Sequence, residues 1–279
     1  MKVLLRAVLC LSLLVAIAMG TSAYSHAEEI EVVPPVGMKL IPEDLTADFD
    51  LSLYSQYIWR GYGLSRDSLV VFPSLTIGYK GFAVNVWSDL DTRFVGSNGD
   101  RGKEFKLQET DVTVSYSHTI VPLKLNYTLG WTLYDWKQTR GRVNDPRGII
   151  DDAKTQEVFL SLTLDTILNP TFGVYQEIEA GRASYFQLGV SHSLPVHYKD
   201  LSLDLAASIS YLDRKGFSNL HDGNVSVGLN IPLNKYLSVK PTVQYSFPLS
   251  SSAAREIRDC SYGTNNNFVY GGLVFNLAI

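Results

Sequence analysis

The segment at residues 123–135 alternates between apolar and largely polar side chains. Its two parity sets are Leu123, Leu125, Tyr127, Leu129, Trp131 and Leu133, and Lys124, Asn126, Thr128, Gly130, Thr132 and Tyr134. Side chains alternate faces along a β-strand, whereas a helical period would mix the two sets. A tilted strand of this length can cross the hydrocarbon core of a bilayer. The segment therefore predicts one strand of a transmembrane barrel whose apolar set faces lipid.

The same alternation recurs along the chain and gives about twelve strand segments, an even number that is typical of single-chain bacterial barrels. The connections alternate in length, with a short reversal at residues 80–81 and long polar loops at 136–154 and 213–223. Short periplasmic turns opposite long outer loops are the outer-membrane arrangement, which a soluble β-sandwich does not favour. The predicted fold class is an all-β, transmembrane antiparallel β-barrel of about 12 strands in the bacterial cell outer membrane.

The amino terminus has the pattern of a secretory signal peptide. Lys2 and Arg6 precede an apolar run at residues 7–19, and Ser25 and Ala27 supply small residues for cleavage. The residues that follow are rich in proline and show no periodicity, which is typical of an irregular arm acting as a periplasmic tether or a partial plug. The predicted divisions are a cleaved signal peptide at 1–27, an irregular N-terminal arm at 28–46 and a transmembrane β-barrel at 47–279.

Composition limits the possible partners and cofactors. The formal net charge is −4 and the sequence contains no basic stripe, so nucleic acid is not expected as a partner. Cys260 is the only cysteine after the signal peptide, so no internal disulfide is expected. The histidines are scattered without metal-binding spacing. The sequence therefore predicts no cofactor, no metal site and no catalytic residue.

The parity set opposite the lipid-facing residues is predicted to line the lumen. Its candidate pore-lining members are Asp50, Gln56, Asn85, Asp89, Glu109, Asp111, Lys124, Asn126, Glu157, Asp165, Asp204, Lys240 and Gln244. Acidic side chains outnumber basic ones, and rings of carboxylates favour cations, so a weak cation preference is expected. Twelve strands enclose a lumen of intermediate width, which is compatible with an open channel or with a plugged interior.

Aromatic residues are expected in two interfacial bands, because their rings have an apolar body and a polar tip. The outer band would contain Trp59, Trp131, Tyr211 and Tyr245, and the periplasmic band Tyr79, Tyr198 and Tyr236.

A short motif near the start of the barrel adds a family resemblance. Residues 55–61 read Ser-Gln-Tyr-Ile-Trp-Arg-Gly and are followed by Ser65. This resembles the S-x-Y-x-W-R-G-x-S opening motif of the TorF family of bacterial porins, although Ser65 comes later here than in the motif. The resemblance implies an outer-membrane channel and marks Tyr57, Trp59, Arg60 and Gly61. Arg60 is interpreted either as a charge at the mouth of the lumen or as a strand-end residue that bonds loop carbonyls beside a positive-φ Gly61.

The predicted function is a porin-like channel for passive diffusion of small hydrophilic solutes. The enzyme alternative is a phospholipase-like barrel with a Ser–His pair, for which Ser191-His192-Ser193 is the suggestive cluster. His192 lies near a predicted periplasmic turn, whereas such an enzyme needs its pair at the outer leaflet, so no enzyme is expected. A third alternative is a non-conducting structural or assembly barrel. Outer-membrane lipid and lipopolysaccharide are expected partners. Loop arginines such as Arg142 and Arg255 are expected to pair with lipopolysaccharide or, by default in a mixed-charge loop, with carboxylates such as Asp151 and Asp152.

Overall fold

The computed structural model describes residues 44–65, 68–93, 105–136, 154–179, 182–196 and 200–279. The predicted signal peptide at 1–27 lies outside the described residues, and so does the predicted arm at 28–46 up to residue 43. The first strand begins at Leu45, so the barrel wall starts within the last residues of the predicted arm.

Twelve antiparallel strands close into one barrel, which confirms the predicted fold class. The first wall strand pairs with the second on one side and with the twelfth on the other, and the remaining wall strands follow in chain order. The wall strands are β1 (Leu45–Tyr54), β4 (Val70–Tyr79), β5 (Phe82–Asp91), β6 (Lys106–Ile120), β7 (Leu125–Trp136), β8 (Lys154–Leu164), β9 (Thr171–Glu177), β10 (Ser184–Val196), β11 (Leu201–Arg214), β12 (Phe217–Pro232), β13 (Leu237–Pro248) and β14 (Phe268–Ala278).

The last strand closes the barrel against the first. Tyr54 lies opposite Gly272 and Asp48 lies opposite Ala278. Beyond this ladder, the backbone N–H of Ile279 donates to the carbonyl of Ala47 at 2.8 Å. Closure satisfies the backbone groups that a sheet edge would leave exposed, which a barrel in lipid requires.

The apolar parity sets lie on the outer surface of the wall. Each of the twelve wall strands exposes a large apolar side chain, namely Phe49, Leu75, Val84, Val114, Leu129, Val158, Phe172, Leu188, Leu205, Val227, Val243 and Leu273. In β8, the alternate residues Thr155, Glu157 and Ser161 are buried instead. An exposed apolar band around a closed barrel is the surface of a transmembrane barrel. No helix among the described residues is both long and apolar enough to span a membrane.

One connection differs from its prediction. The expected long loop at 213–223 is instead part of two long strands, β11 and β12, which reverse at Lys215 and Gly216. Gly216 has φ 83°, a left-handed conformation that glycine adopts without steric cost. Above the lipid-facing band a strand no longer needs an apolar outer face, so the hydropathy pattern ends before the strand does.

The connection between β1 and β4 folds into the barrel. This inner segment, described here at residues 55–65, contains the two-stranded hairpin β2 (Ile58–Trp59) and β3 (Tyr62–Gly63), and every residue from 57 to 65 is buried. The alternation of Leu51 and Leu53 continues in the sequence through Tyr57 and Trp59. The structure shows instead that β1 leaves the wall after Tyr54.

The connection between β13 and β14 contains a helix, α1 (Ser251–Cys260). Ser250 caps it, since its hydroxyl accepts from the N–H of Ala253 at 3.1 Å. The helix buries Ala253, Ile257 and Cys260, and it contacts the inner segment and strands β12 and β13. The inner segment and α1 thus share the end of the barrel that carries the longer connections, here called the outer end.

Candidate functional site in the barrel lumen

The outer half of the lumen is filled with side chains. Each of the twelve wall strands contributes an inward residue that is at most 6% exposed, and these are Tyr54, Phe72, Asp89, Glu109, Tyr134, Glu157, Tyr175, Tyr185, Leu212, Asp222, Gln244 and Tyr270. The buried hydrophobic cluster that joins several of them also includes Tyr57, Trp59 and Tyr62 of the inner segment. In the described conformation, this part of the lumen is a packed core and not an open pore.

Arg60 holds the tip of the inner segment to the far wall. Its Nη1 and Nη2 atoms donate to Glu157 Oε2 and Oε1, both at 3.0 Å, in a bidentate ion pair. Glu157 is on β8, which four wall strands separate from β1 in one direction and six in the other. The inner segment therefore crosses the lumen, and the pair joins nearly opposite sides of the barrel. Arg60 directly follows β2, beside the positive-φ Gly61, and its Nη1 and Nη2 atoms bond a wall carboxylate rather than loop carbonyls.

Aromatic rings surround the Arg60 guanidinium. Its Cζ atom is 4.1 Å from the ring centroid of Tyr185, 4.6 Å from that of Trp59 and 4.8 Å from that of Tyr175. Cation–π attraction is strongest where water is excluded, as it is here. Burial by itself would lower the pKa of Arg60, but the adjacent Glu157 carboxylate raises it above its ordinary value. The guanidinium is therefore charged at any accessible pH.

The backbone conformation at Arg60 and Gly61 allows the Arg60 side chain to extend to Glu157. Arg60 and Gly61 have φ values of 42° and 79°, so two successive residues take left-handed conformations at the tip of the hairpin. The predicted positive φ of Gly61 is confirmed. A Cβ on Gly61 would lie 2.8 Å from Asp222 Cβ and 2.9 Å from Ile257 Cδ1. Glycine is thus required for both conformation and packing.

A second contact joins the inner segment to β6. The Tyr57 hydroxyl donates to Glu109 Oε2 at 3.1 Å, and the Tyr57 backbone N–H donates to Ser65 Oγ at 2.8 Å. Burial, with the nearby carboxylates of Glu109 and Asp89, raises the pKa of Tyr57 well above its ordinary value. The hydroxyl therefore keeps its proton and remains a donor to Glu109.

The outer side of the inner segment packs against α1 and β12. The Tyr62 hydroxyl donates to Glu256 Oε1 at 3.2 Å, and Glu256 also pairs with Arg214. The Gly63 N–H donates to Ser261 Oγ at 2.9 Å, while His221 Nε2 donates to the Arg60 carbonyl at 3.0 Å. The inner segment is therefore bonded to α1, β6, β8 and β12.

The other half of the lumen wall, here called the periplasmic half because it carries the shorter connections, is more accessible. Its inward residues include Asn85, which donates to the hydroxyls of Ser74 and Thr76, each at 2.8 Å. Asp204 and Lys240 form an ion pair at 2.6 Å, and both side chains are about one-quarter exposed. This half is thus a vestibule with a hydroxyl- and amide-rich wall.

The predicted pore-lining residues fall into three groups. Asp50, Asp89, Glu109, Asp111, Glu157 and Gln244 are buried, and Gln56, Asn85, Asn126, Asp204 and Lys240 are partly exposed. Lys124 and Asp165 are exposed and lie in turns at the periplasmic end, where the Asp165 N–H donates to the Lys124 carbonyl. Gln56 belongs to the inner segment and not to the wall. That any of them contacts a passing solute stays a prediction.

Sequence reasoning missed several members of the lumen cluster, chiefly Tyr175, Tyr185 and Asp222. Tyr185 donates to Asp222 Oδ1 at 3.1 Å, and this bond fixes one ring of the cage around Arg60. Trp59 was assigned to the outer aromatic band and is instead 1% exposed inside the barrel. Of the other band members, Tyr79, Tyr211, Tyr236 and Tyr245 are exposed, Trp131 is partly exposed, and Tyr198 lies outside the described residues.

No metal site is evident in the parts of the chain that the structure describes, since no group of three or more His, Cys, Asp or Glu side chains there could hold a metal ion. Ser191 and Ser193 have the inward parity of β10, so His192 between them faces the other way, and Ser193 instead donates to Asp204 Oδ1 at 2.8 Å. The Ser–His pair that a barrel lipase needs does not form at this cluster.

No protein-family model matches the chain, and no curated protein matches it. Among solved structures, the KdgM porin in complex with disordered oligogalacturonate is 10% identical, with a TM-score of 0.47 over 83% of this chain and 98% of that one. The NanC porin is 8% identical, with a TM-score of 0.45 over 83% and 98% of the two chains. The COG4313 outer membrane channel from Pseudomonas putida F1 is 10% identical, with a TM-score of 0.41 over 88% and 100%. At these identities and TM-scores, no function is transferred from them to this chain.

Proposed function

We propose that the protein is an outer-membrane, porin-like channel in which the lumen is the path for small hydrophilic solutes when the inner segment is displaced from the outer half. The observation that carries this proposal is the contrast between the two sides of the wall. Each wall strand exposes apolar side chains to lipid, whereas the periplasmic half of the lumen is lined by accessible hydroxyl, amide and charged groups such as Asn85, Asp204 and Lys240. A barrel with a polar interior and an apolar exterior separates an aqueous path from lipid.

The proposal includes a weak preference for cations. Acidic residues outnumber basic ones on the inward faces, and carboxylates lining a pore lower the energy of a passing cation. Membership of the TorF family, suggested by the motif at residues 55–61, belongs to the same proposal. So does contact with lipopolysaccharide through Arg255 and Arg258, which are exposed on α1.

Single-channel recording of the purified protein in a planar bilayer tests the channel. Discrete conductance steps are expected, together with a reversal potential of the sign for cation preference in an asymmetric KCl gradient. Anion preference would reject the selectivity, and the absence of any conductance would reject the channel and favour a structural barrel. A preparation that shows no conductance but hydrolyses phospholipid esters would instead favour the phospholipase-like alternative.

A further inference from the structure

The surroundings of Arg60 have the composition of a receptor for a guanidinium group. A carboxylate accepts two parallel N–H bonds at 3.0 Å, and three aromatic rings lie within 4.8 Å of Cζ. The bidentate fork matches the planar geometry of guanidinium, and the rings favour a weakly hydrated cation. Both charged side chains are about 5% exposed, so the site excludes bulk water.

Most of this receptor belongs to the barrel wall and not to the segment that carries Arg60. Tyr134, Glu157, Tyr175 and Tyr185 lie on β7, β8, β9 and β10, four consecutive wall strands. The Tyr134 hydroxyl donates to Glu157 Oε1 at 3.2 Å, and the Tyr185 hydroxyl is held by Asp222. Only Trp59 comes from the inner segment. The carboxylate and two of the three wall rings are thus held by hydrogen bonds that do not involve Arg60.

We propose that the wall surface formed by Tyr134, Glu157, Tyr175 and Tyr185 is a binding site for organic cations that carry a guanidinium group, and that Arg60 occupies it as an internal ligand. This inference rests on the proposed channel function, because it names the solute class of the same lumen. A solute that displaces Arg60 also removes the bond between the inner segment and β8, so binding and opening of the outer half are coupled.

Because Arg60 belongs to the same chain as the wall site, it competes strongly with a free solute for that site. A ligand on the same chain has an effective concentration on the order of millimolar or more, so a free cation reaches the wild-type site only when present at comparable levels. Removing the Arg60 guanidinium eliminates this competition. The decisive experiment is therefore chemical rescue of the substitution Arg60→Ala, since ethylguanidinium contains the atoms that alanine lacks beyond Cβ.

In thermal unfolding of the detergent-solubilised barrel, Arg60→Ala should have a lower Tm than wild type. Millimolar ethylguanidinium should raise that Tm in a saturable, concentration-dependent manner, far below the molar range in which guanidinium denatures proteins. Neutral ethylurea, which has nearly the same shape, should have no effect. The double variant Arg60→Ala/Glu157→Gln should also lose the response, because the carboxylate is gone.

Arg214→Ala is the matched control, since Arg214 is also buried in an ion pair, with Glu256, but lies outside the aromatic cage. An equal Tm rise in this variant, or no rise in Arg60→Ala, would overturn the proposal. If Arg60→Ala does not fold, Arg60→Lys serves instead, because an ammonium cannot reproduce the bidentate fork and should yield to ethylguanidinium more readily than arginine does. The absence of a response in that variant would equally overturn the proposal.

The binding measurement is separate from conduction. Conduction in a bilayer without rescue would refute the guanidinium site and leave the channel proposal intact. Rescue without conduction would support the site and refute the channel.

Discussion

Replacing Glu157 by glutamine should open the outer half of the lumen. The substitution keeps the size of the side chain and removes the charge that Arg60 contacts through both Nη atoms at 3.0 Å. Arg60 is 5% exposed, so its positive charge would remain buried without its carboxylate partner. In the open arrangement, by contrast, water can solvate the guanidinium.

The size of the effect follows from this geometry. Removing one partner of a buried ion pair costs about 3–5 kcal/mol, which corresponds to a change of about 10² to 10⁴-fold in the ratio of closed to open barrels. Glu177→Gln is the matched control, because Glu177 lies directly opposite Glu157 on β9 and is also buried. Its Oε1 accepts from the Thr155 hydroxyl at 3.0 Å, a bond that an amide oxygen can replace, so the expected loss is about 1 kcal/mol or less.

Two assays report the open population. Single-channel recordings should show longer open dwell times for Glu157→Gln than for wild type or for Glu177→Gln. The labelling rate of Cys260 by a polar maleimide gives a second readout, because this thiol is 3% exposed on the face of α1 that packs inward. Wild-type dwell times and wild-type Cys260 labelling in Glu157→Gln would refute the role of the ion pair in closing the lumen.

Two further substitutions test the inner segment and the lipid-facing wall. Gly61→Ala should lower the free energy of unfolding by about 1–3 kcal/mol, and by more than Gly216→Ala does. Both positions have positive φ, but of the two only Gly61 has neighbours within 3 Å of an added Cβ. Equal losses in urea unfolding would contradict the packing argument. Val114→Arg, on the exposed apolar face of β6, should make the free energy of folding into lipid vesicles less favourable by about 2–4 kcal/mol. Ser115→Arg, on the inward face, should have a smaller effect. The reverse order would invalidate the assignment of faces.

The strands of the barrel wall could be predicted from sequence because the alternation of their apolar and polar residues depends only on the strand itself. Each strand has lipid on one side, so its outward residues must be apolar whatever the neighbouring strands contain. The alternation seen at residues 123–135 therefore reappears in β7, where Leu129 is exposed and Tyr134 is buried. In β8, likewise, Val158 is exposed and the adjacent Glu157 is buried.

The inner segment could not be predicted by that rule, because a segment inside the barrel has no lipid-facing side. Tyr57 and Trp59 continue the parity of β1, but both belong to a buried cluster with residues distant in sequence such as Tyr175, and Tyr57 also donates to Glu109. Alternation alone does not reveal whether the chain remains in the wall after Tyr54. The turn was marked locally only by Gly61, which the family motif identified without indicating where the turn leads.

Charge balance supplies the missing constraint on where the inner segment goes. The inward faces of the wall strands carry many carboxylates, and a buried carboxylate requires a cation or several hydrogen-bond donors. In the vestibule, Lys240 forms an ion pair with Asp204, and both side chains are partly exposed. At the outer half, the partner of Glu157 comes instead from a connection between strands, through Arg60. In this barrel, a cationic side chain from a connection thus folds inward and neutralises one buried carboxylate of the wall.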